Sequence, residues 1–425
     1  MADQFPPTSY VMVESKIDGI QIYKPALPEL GPHQEIVDFK CPQCGGTTGF
    51  SSTQGSLVCP YCGYSESPVQ AKVGKKAAQY EFTVATVEQA AQGWGEERKE
   101  LVCQNCGAVT SLPKETLSHC CPFCASNKVI QRSSPQDILR PRFLVPFKLK
   151  DIECAKITRE WLGSSWMTPA SLKSAATLGN LTAIYLPFWT FHSMTSADWK
   201  AQVGHPKKER YFSNGEWKER TVIEWRWESG QAELNINDLI ISGTGRVSQK
   251  LLNDIQDYNL ADLVAYEPKY LAGFQAHGFD VNLEKAWEAG RQVMREKTRQ
   301  ACIEQASTSQ IRNFSMSLDF ADESWRYILL PAYLSVYKYA DQNYVLGING
   351  QSGRISGQRP VDWNKVWLVI GLLVAPGLLL GLLGLITIPF GGLGFGIGLV
   401  GFILLVIGVI LSLIIYSKAS SLDKL

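Results

Sequence analysis

The chain has 425 residues, 11 of them cysteine, with 41 Lys+Arg against 40 Asp+Glu. A formal net charge of +1 excludes whole-molecule steering towards nucleic acid or anionic lipid, and 45% apolar residues exclude a wholly disordered chain. At roughly 150 residues per domain, two or three folded units are expected.

Residues 1–40 read as an N-terminal extension. Its start, Met1-Ala2-Asp3-Gln4-Phe5-Pro6-Pro7, has neither a basic cluster nor an apolar run, so it is no secretory signal. The cysteine-rich part is therefore expected in a reducing compartment, where paired cysteines more often mean metal than disulfide.

Nine of the 11 cysteines fall before residue 125. Cys41-Pro42-Gln43-Cys44 is followed by 14 residues and then Cys59-Pro60-Tyr61-Cys62. Cys103-Gln104-Asn105-Cys106 is followed by 14 residues and then Cys121-Pro122-Phe123-Cys124. One C-x2-C turn aims two thiolates at a point, and a second turn on a returning hairpin completes a tetrahedron. The repeat predicts two small β zinc ribbons, at 41–66 and 103–130, holding two Zn2+ ions. Gly45, Gly63 and Gly107 follow the knuckles and relax the backbone there. An iron S4 site is chemically possible as well, and His119 or Cys120 could substitute as a ligand, although the repeat frame favours Cys121. Residues 41–65 carry no charged side chain, and residues 1–140 hold 12 Lys+Arg against 14 Asp+Glu. Phosphate binding draws on clustered cations, so nucleic acid is not the expected partner and the ribbons read as protein-contact surfaces. The connector, 67–102, is helix-like and charged, and Glu96-Glu97-Arg98-Lys99-Glu100 reads as a solvated helix face.

Residues 141–360 are expected to form a soluble, mixed α+β domain. Asn214-Gly215, between Tyr211-Phe212 and Glu216-Trp217, signals a hairpin. Ile223, Trp225 and Trp227 alternate with Glu224, Arg226 and Glu228, which predicts an apolar face in the core. Ile184-Tyr185-Leu186-Pro187-Phe188-Trp189 is echoed by Ile328-Leu329-Leu330-Pro331-Ala332-Tyr333, with each proline expected at a strand start or on an edge. An amphipathic helix is expected over 284–306, and 344–353 reads as a hairpin with an Asn-Gly turn. No phosphate-binding loop, nucleophile elbow or zincin motif is present, so no enzyme is expected. Cys302 with His277 is the one conceivable nucleophile–base pair, against the plainer reading of Cys302 and Cys154 as buried and inert.

From Val366 to Ser417 there are 52 residues without an Asp, Glu, Lys, Arg or His. One helix of that length would run about 78 Å, against a hydrocarbon core of about 30 Å. Broken at Pro389-Phe390-Gly391-Gly392, the run predicts a transmembrane hairpin over 366–416, with helices at 366–387 and 394–416. Arg354, Arg359 and Lys365 precede it and Lys418 and Lys424 follow, which puts both termini in the cytoplasm. Trp363, Trp367 and Tyr416 suit an aromatic belt, and Gly377/Gly381 with Gly394/Gly398 suit close packing of the two helices.

The twin ribbons, Tyr185-Leu186-Pro187-Phe188-Trp189, Leu330-Pro331, Asn349-Gly350-Gln351-Ser352-Gly353 with Pro360, and the hairpin together resemble bacterial membrane proteins with tandem TFIIB-type-like zinc ribbons, often labelled primosomal-helicase-like. Without a nucleotide-binding motif the helicase label implies no activity. The resemblance implies zinc on Cys41, Cys44, Cys59 and Cys62, and on Cys103, Cys106, Cys121 and Cys124. It also implies partners of the phage-shock A and flotillin-like (SPFH) kinds. The expected function is a cytoplasm-facing adaptor or scaffold in the cytoplasmic (inner) membrane, recruiting protein partners in membrane stress or organisation. The alternative is a membrane-tethered nucleic-acid binder.

Overall fold

The computed structural model describes residues 10–13, 22–25, 40–52, 54–66, 73–74, 80–81, 94, 98–113, 120–134, 139–173, 181–213, 216–340, 342–387 and 392–423. The chain divides into two compact units, Met1–Asp38 and Phe39–Leu425. In the first, β1 (Tyr10–Val13) pairs antiparallel with β2 (Ile22–Pro25).

The second unit opens with a three-stranded antiparallel sheet, β3 (Gly49–Ser51), β4 (Ser56–Val58) and β5 (Ser65–Glu66). After the two-residue β6 (Tyr80–Glu81) comes a second antiparallel trio, β7 (Arg98–Cys103), β8 (Val109–Pro113) and β9 (Val129–Ser133), with β7 in the middle. Next are β10 (Phe143–Leu144) and α1 (Asp151–Gly163), then the long strands β11 (Thr182–Ser213) and β12 (Glu216–Ser242). A short helix α2 (Gln249–Ile255), β13 (Val264–Ala265) and β14 (Gln275–His277) lead to α3 (Leu283–Gln305). The chain closes with β15 (Ile311–Tyr339), β16 (Gln342–Asn349), β17 (Ile355–Gly357), α4 (Trp363–Thr387) and α5 (Gly392–Asp423). The fold is α+β, with a large mixed sheet and a C-terminal pair of apolar helices.

The two sequence echoes meet at the centre of the large sheet. Strands β11 and β15 run antiparallel with Ile184 opposite Ala332 and Phe188 opposite Ile328. Here the apolar run is unbroken because both faces are covered. Tyr185, Trp189, Phe191, Trp325, Tyr327 and Tyr333 enter one core cluster, and Ile184, Leu186, Phe188, Ile328, Leu330 and Ala332 enter the other. Truncating any one of the large aromatics would cost about 3–5 kcal/mol. Pro187 and Pro331 lie inside these central strands, not at a strand start or on an edge. Outside β11, pairing passes from β14 (through Tyr185) to β12 (from Phe188). Outside β15 it passes from β10 (through Leu329) to β16 (from Ala332). Each proline falls in the gap between successive neighbours, where a missing N–H breaks no ladder bond.

Farther along β11, burial alternates strictly: Ala197, Trp199 and Ala201 are buried and Ser196, Asp198 and Lys200 exposed. The buried face is covered by α3, which Asn282 caps by accepting from Lys285 N–H at 3.1 Å. The helix ends where Gln305 Oε1 accepts from Trp199 Nε1 at 2.8 Å. Beyond it the β11–β12 pair continues to Ser213 opposite Glu216, and Asn214-Gly215, the expected turn, lies outside the described residues. Ile223, Trp225 and Trp227 sit on this arm, and the expectation that they are core is overturned. Trp227 is 61% exposed and Ile223 43%, because no helix or second sheet among the described residues packs on the face turned away from α3; Trp225 is half-buried, with the Arg312 guanidinium 4.0 Å over its ring. Nearer the core both ladders slip at one level: between Phe191 and Ser193 against β12, and between His192 and Met194 against β15. Asp238 (φ 55°) and Asp322 (φ 52°) take the left-handed conformation there. Arg326, fully buried, donates to Thr190 Oγ1 at 3.0 Å and pairs with Asp238, tying the three strands together.

The 344–353 hairpin is present as β16–β17, with the left-handed residue at Gly353 (φ 79°). The helices α4 and α5 are long and apolar enough to cross a bilayer, with mean hydropathies of 2.6 and 3.0. Only 11% and 17% of their most apolar windows are buried, so they are not core helices of the globule. They pack on each other through glycines: a Cβ at Gly377, Gly384, Gly401 or Gly408 would collide with the partner helix backbone. The contact repeats every seven residues, whereas the four-residue pair Gly377/Gly381 has only its first member facing the partner with its missing Cβ.

Candidate metal centres

Each knuckle begins at a cysteine whose backbone closes a tight turn. Cys41 N–H donates to Gly46 O (2.7 Å) and Gly45 N–H returns to Cys41 O (2.8 Å). The same two bonds recur at Cys59 with Tyr64 and Gly63, at Cys103 with Ala108 and Gly107, and at Cys121 with Ser126 and Ala125. The closing residue needs positive φ: Gly45 73°, Gly63 76°, Gly107 70° and Ala125 56°. Glycine does this without penalty; Ala125 does not.

The turns bring the eight predicted cysteines into two quartets. In the first, Sγ atoms of Cys41 and Cys62 are 3.4 Å apart and those of Cys44 and Cys59 3.5 Å. In the second, Cys103–Cys124 and Cys106–Cys121 are both at 3.6 Å. All sulfurs of a quartet lie within 4.8 Å of one another. Metal–sulfur bonds of about 2.3 Å require tetrahedral S···S edges of about 3.8 Å, so each quartet fits one ion. The separations are far beyond the ~2.05 Å of a disulfide, and all 11 cysteines are free. Cys120 is exposed and lies outside the second quartet, as the repeat predicts; His119 falls outside the described residues.

In each quartet backbone N–H groups favour the thiolate at one cysteine, while Cys44 and Cys62 of the first and Cys106 and Cys121 of the second are shifted up, the last two chiefly by burial. Burial opposes ionisation at Cys59, but N–H groups of Cys62 and Tyr61 outweigh it and bring the thiol down to about 7. At Cys103 burial is likewise outweighed, by N–H groups of Cys106 and Asn105, again to about 7. Cys59 and Cys103 are thus about half ionised at neutral pH, and a metal ion that binds the quartet displaces the protons remaining on the other thiols.

The two sites are held differently. The first ribbon docks on segment 268–274: Phe50 N–H donates to Ala272 O at 3.1 Å, and the Phe50 ring meets Tyr270 at 5.1 Å. Its Cys44 and Cys62 remain exposed. The second ribbon is part of the large sheet, since Thr110 and Ser111 of β8 pair with His277 and Ala276 of β14. His277 is bonded through Nδ1 to Val109 O (2.6 Å) and through Nε2 to Thr244 Oγ1 (3.0 Å), and its ring meets Phe123 edge-on at 5.0 Å. Arg246 donates from Nη1 to Cys106 O (2.7 Å) and from Nε to Asp280 (3.0 Å). Burial pushes the Asp280 carboxyl up, but His277 and the Gly245 N–H outweigh it and hold it down at about 2. Arg246, His277 and Asp280 form a polar clamp under the second site, and nothing in their spacing along the chain signals it.

The charged run at 98–100 is corrected from helix to strand. Arg98 is buried and donates to Ser111 Oγ (2.7 Å) and Phe274 O (2.8 Å). Glu100, also buried, accepts from Arg132 at 2.8 Å. Both charges are satisfied inside the sheet, so the run is structural glue between the second ribbon and segment 268–274. Glu96 and Glu97 fall outside the described residues.

Cys302 and His277 do not form a nucleophile–base pair. Cys302 packs among Ala197, Trp199, Ala201 and Ala232, and burial raises its thiol. Burial also pushes Cys154 up to about 12. His205, Glu228 and Ser307 cluster at the end of α3, but Glu228 and Ser307 both approach the same ring nitrogen, Nε2. A relay needs the carboxylate on the opposite nitrogen, so the cluster is a structural knot.

The two quartets and the apolar helix pair fit a membrane-anchored metal-binding protein. No family model matches the sequence, and no solved structure matches it. Among curated proteins the chain is similar to the uncharacterized protein YdjG of Bacillus subtilis strain 168, 24% identical over 341 residues that cover 78% of this chain and 92% of that protein.

Proposed function

We propose that the protein is a cytoplasm-facing adaptor of the inner membrane, with two zinc ions stapling its ribbons and α4–α5 as anchor. Partners of the phage-shock A-like and flotillin-like kinds are those the sequence resemblance implies. The observation that carries the reading is the set of exposed aromatics on the β11–β12 arm, foremost the Phe212–Trp217 pair. Phe212 (62% exposed) faces Trp217 (72%) across the pair, with ring centroids 5.4 Å apart, and Ile223 and Trp227 are exposed farther back on the same face, beyond the Arg210–Glu219 ion pair. Large aromatics left on solvent mark a protein-contact site, and Trp and Tyr dominate the energy of such contacts. The orientation rests on the flanking cations. Zinc is the ion that the sequence resemblance implies.

The test is capture from gently solubilised membranes with full-length chain and with a Trp217→Ser/Trp227→Ser variant, whose changes lie on solvent. The wild type should retain phage-shock A-like or flotillin-like proteins and the variant should lose them. A wild type that returns no partner, or a variant that returns the same set, removes the adaptor reading. Elemental analysis of the same sample should give two zinc ions per chain.

A further inference from the structure

We infer that the loop at 164–167 is a third membrane contact, with Trp166 seated in the lipid headgroup layer beside the two helices. The inference rests on reading α4 and α5 as spans and adds to it the attitude of the soluble body on the bilayer.

The loop is bolted to the base of the hairpin. Met167 O accepts from Asp362 N–H at 2.8 Å, just before α4 begins. The Met167 side chain, 3% exposed, packs with Val366 and Ala419, both fully buried, and with Ile370 and Ile415. Ser164 Oγ accepts from Arg359 Nη1 at 3.0 Å, and the Arg359 guanidinium lies 3.7 Å over the Trp161 ring. Arg359 N–H donates to Leu422 O at 2.9 Å, fixing the far end of α5 to the same place. At 32 residues α5 is about 48 Å long, well over the ~30 Å of hydrocarbon, so its last turns stand outside the bilayer against the body.

These contacts set the depth of the loop. Val366 and Ile370 belong to the first turns of the apolar run, and Trp367, which follows Val366, is 57% exposed. Trp363 and Trp367 both meet Tyr416, at 5.6 and 6.3 Å, which forms an aromatic belt at this level. Trp166 is the neighbour of Met167 and therefore lies about 3.8 Å along the chain from a residue packed at belt depth. It is 48% exposed, and Lys418, the residue before the buried Ala419 of α5, is exposed as well, a cation where headgroup phosphates would lie. An indole at that level is worth more in the headgroup layer than in water, because its apolar body and its N–H are both served there. The occupant is the lipid itself, since the loop is bonded and packed to the bases of both apolar helices at the level of their exposed aromatics.

The experiment places full-length protein, labelled with 5-fluorotryptophan, in nanodiscs of phosphatidylcholine and phosphatidylglycerol. Conservative Trp166→Phe, Trp367→Phe and Trp227→Phe variants assign the three fluorine resonances. With headgroup nitroxide lipid added, the Trp166 and Trp367 resonances should be lost together while Trp227 survives. A water-soluble gadolinium chelate should do the reverse. If the Trp367 resonance is lost to the nitroxide lipid and Trp166 behaves like Trp227, the third contact is refuted and the spans stand. If Trp367 also survives the nitroxide lipid, the span reading fails and the inference falls with it.

Discussion

Replacing Arg246 with alanine should weaken metal binding at the second quartet and leave the first untouched. Arg246 holds the Cys103–Cys106 knuckle through Cys106 O and is itself held by Asp280. A charge-assisted hydrogen bond is worth about 1.5–3 kcal/mol when shielded, but this side chain is 39% exposed, so the two bonds together are discounted to about 1–2 kcal/mol. Four thiolates around a divalent ion carry a formal charge of −2, so the cation lost is also a favourable neighbour. Metal-binding free energy in a ribbon is folding free energy, and the loss corresponds to about 5–30-fold in affinity. The assay is zinc release from full-length protein in detergent to an excess of coloured chelator. The wild type should release in two phases, the exposed first site before the second, and Cys44→Ser should delete the fast phase. Arg246→Ala should speed the slow phase alone, and Arg246→Lys should restore part of it. The reasoning is refuted if Arg246→Ala leaves the slow phase unchanged or if it moves the fast one.

Three further outcomes follow from the same geometry. Ala125→Gly should stabilise the second ribbon by about 0.5–1 kcal/mol, since it relieves the left-handed strain at φ 56°, and Gly107→Ala should do the opposite; chelator resistance of the slow phase reads both. Asp238→Asn keeps a residue tolerant of positive φ but strands the buried Arg326 charge, and should lower stability to urea by about 3 kcal/mol, followed by tryptophan emission. A shift below a third of that would mean the pair is dispensable. Gly401→Leu should force α4 and α5 apart and lower the temperature at which the hairpin loses helical signal in detergent. Gly371→Leu, where a Cβ meets nothing within 4 Å, should change it little.

The two cysteine quartets, helix α3 and the two apolar helices were legible in the sequence because each is a local signal. A C-x2-C spacing fixes two thiols on one turn, and a 3.6-residue period fixes one face of one helix. The apolar pattern placed α3 within one residue of its observed bounds, Leu283–Gln305. The polar clamp of Arg246, His277 and Asp280 was not legible. Arg246 and His277 are bonded to Cys106 and Val109, 140 and 168 residues away, and no period or spacing encodes a contact of that kind.

The fate of a residue's face was equally closed to the sequence. The Ile223–Trp225–Trp227 alternation correctly implies a strand, but whether an apolar face is core depends on what covers it, and α3 ends short of the arm and lies on its other side. Arg98 and Glu100 read as solvated because charge normally seeks water, yet segment 268–274 supplies carbonyls and β9 a guanidinium that satisfy them in the interior. Pro187 and Pro331 read as edge residues, and only the pairing register revealed the gaps between outer strands that admit them. Composition and spacing determined which groups the chain carries and which near neighbours they have. Tertiary structure decided their burial and their distant partners, because those depend on elements brought together from opposite ends of the chain.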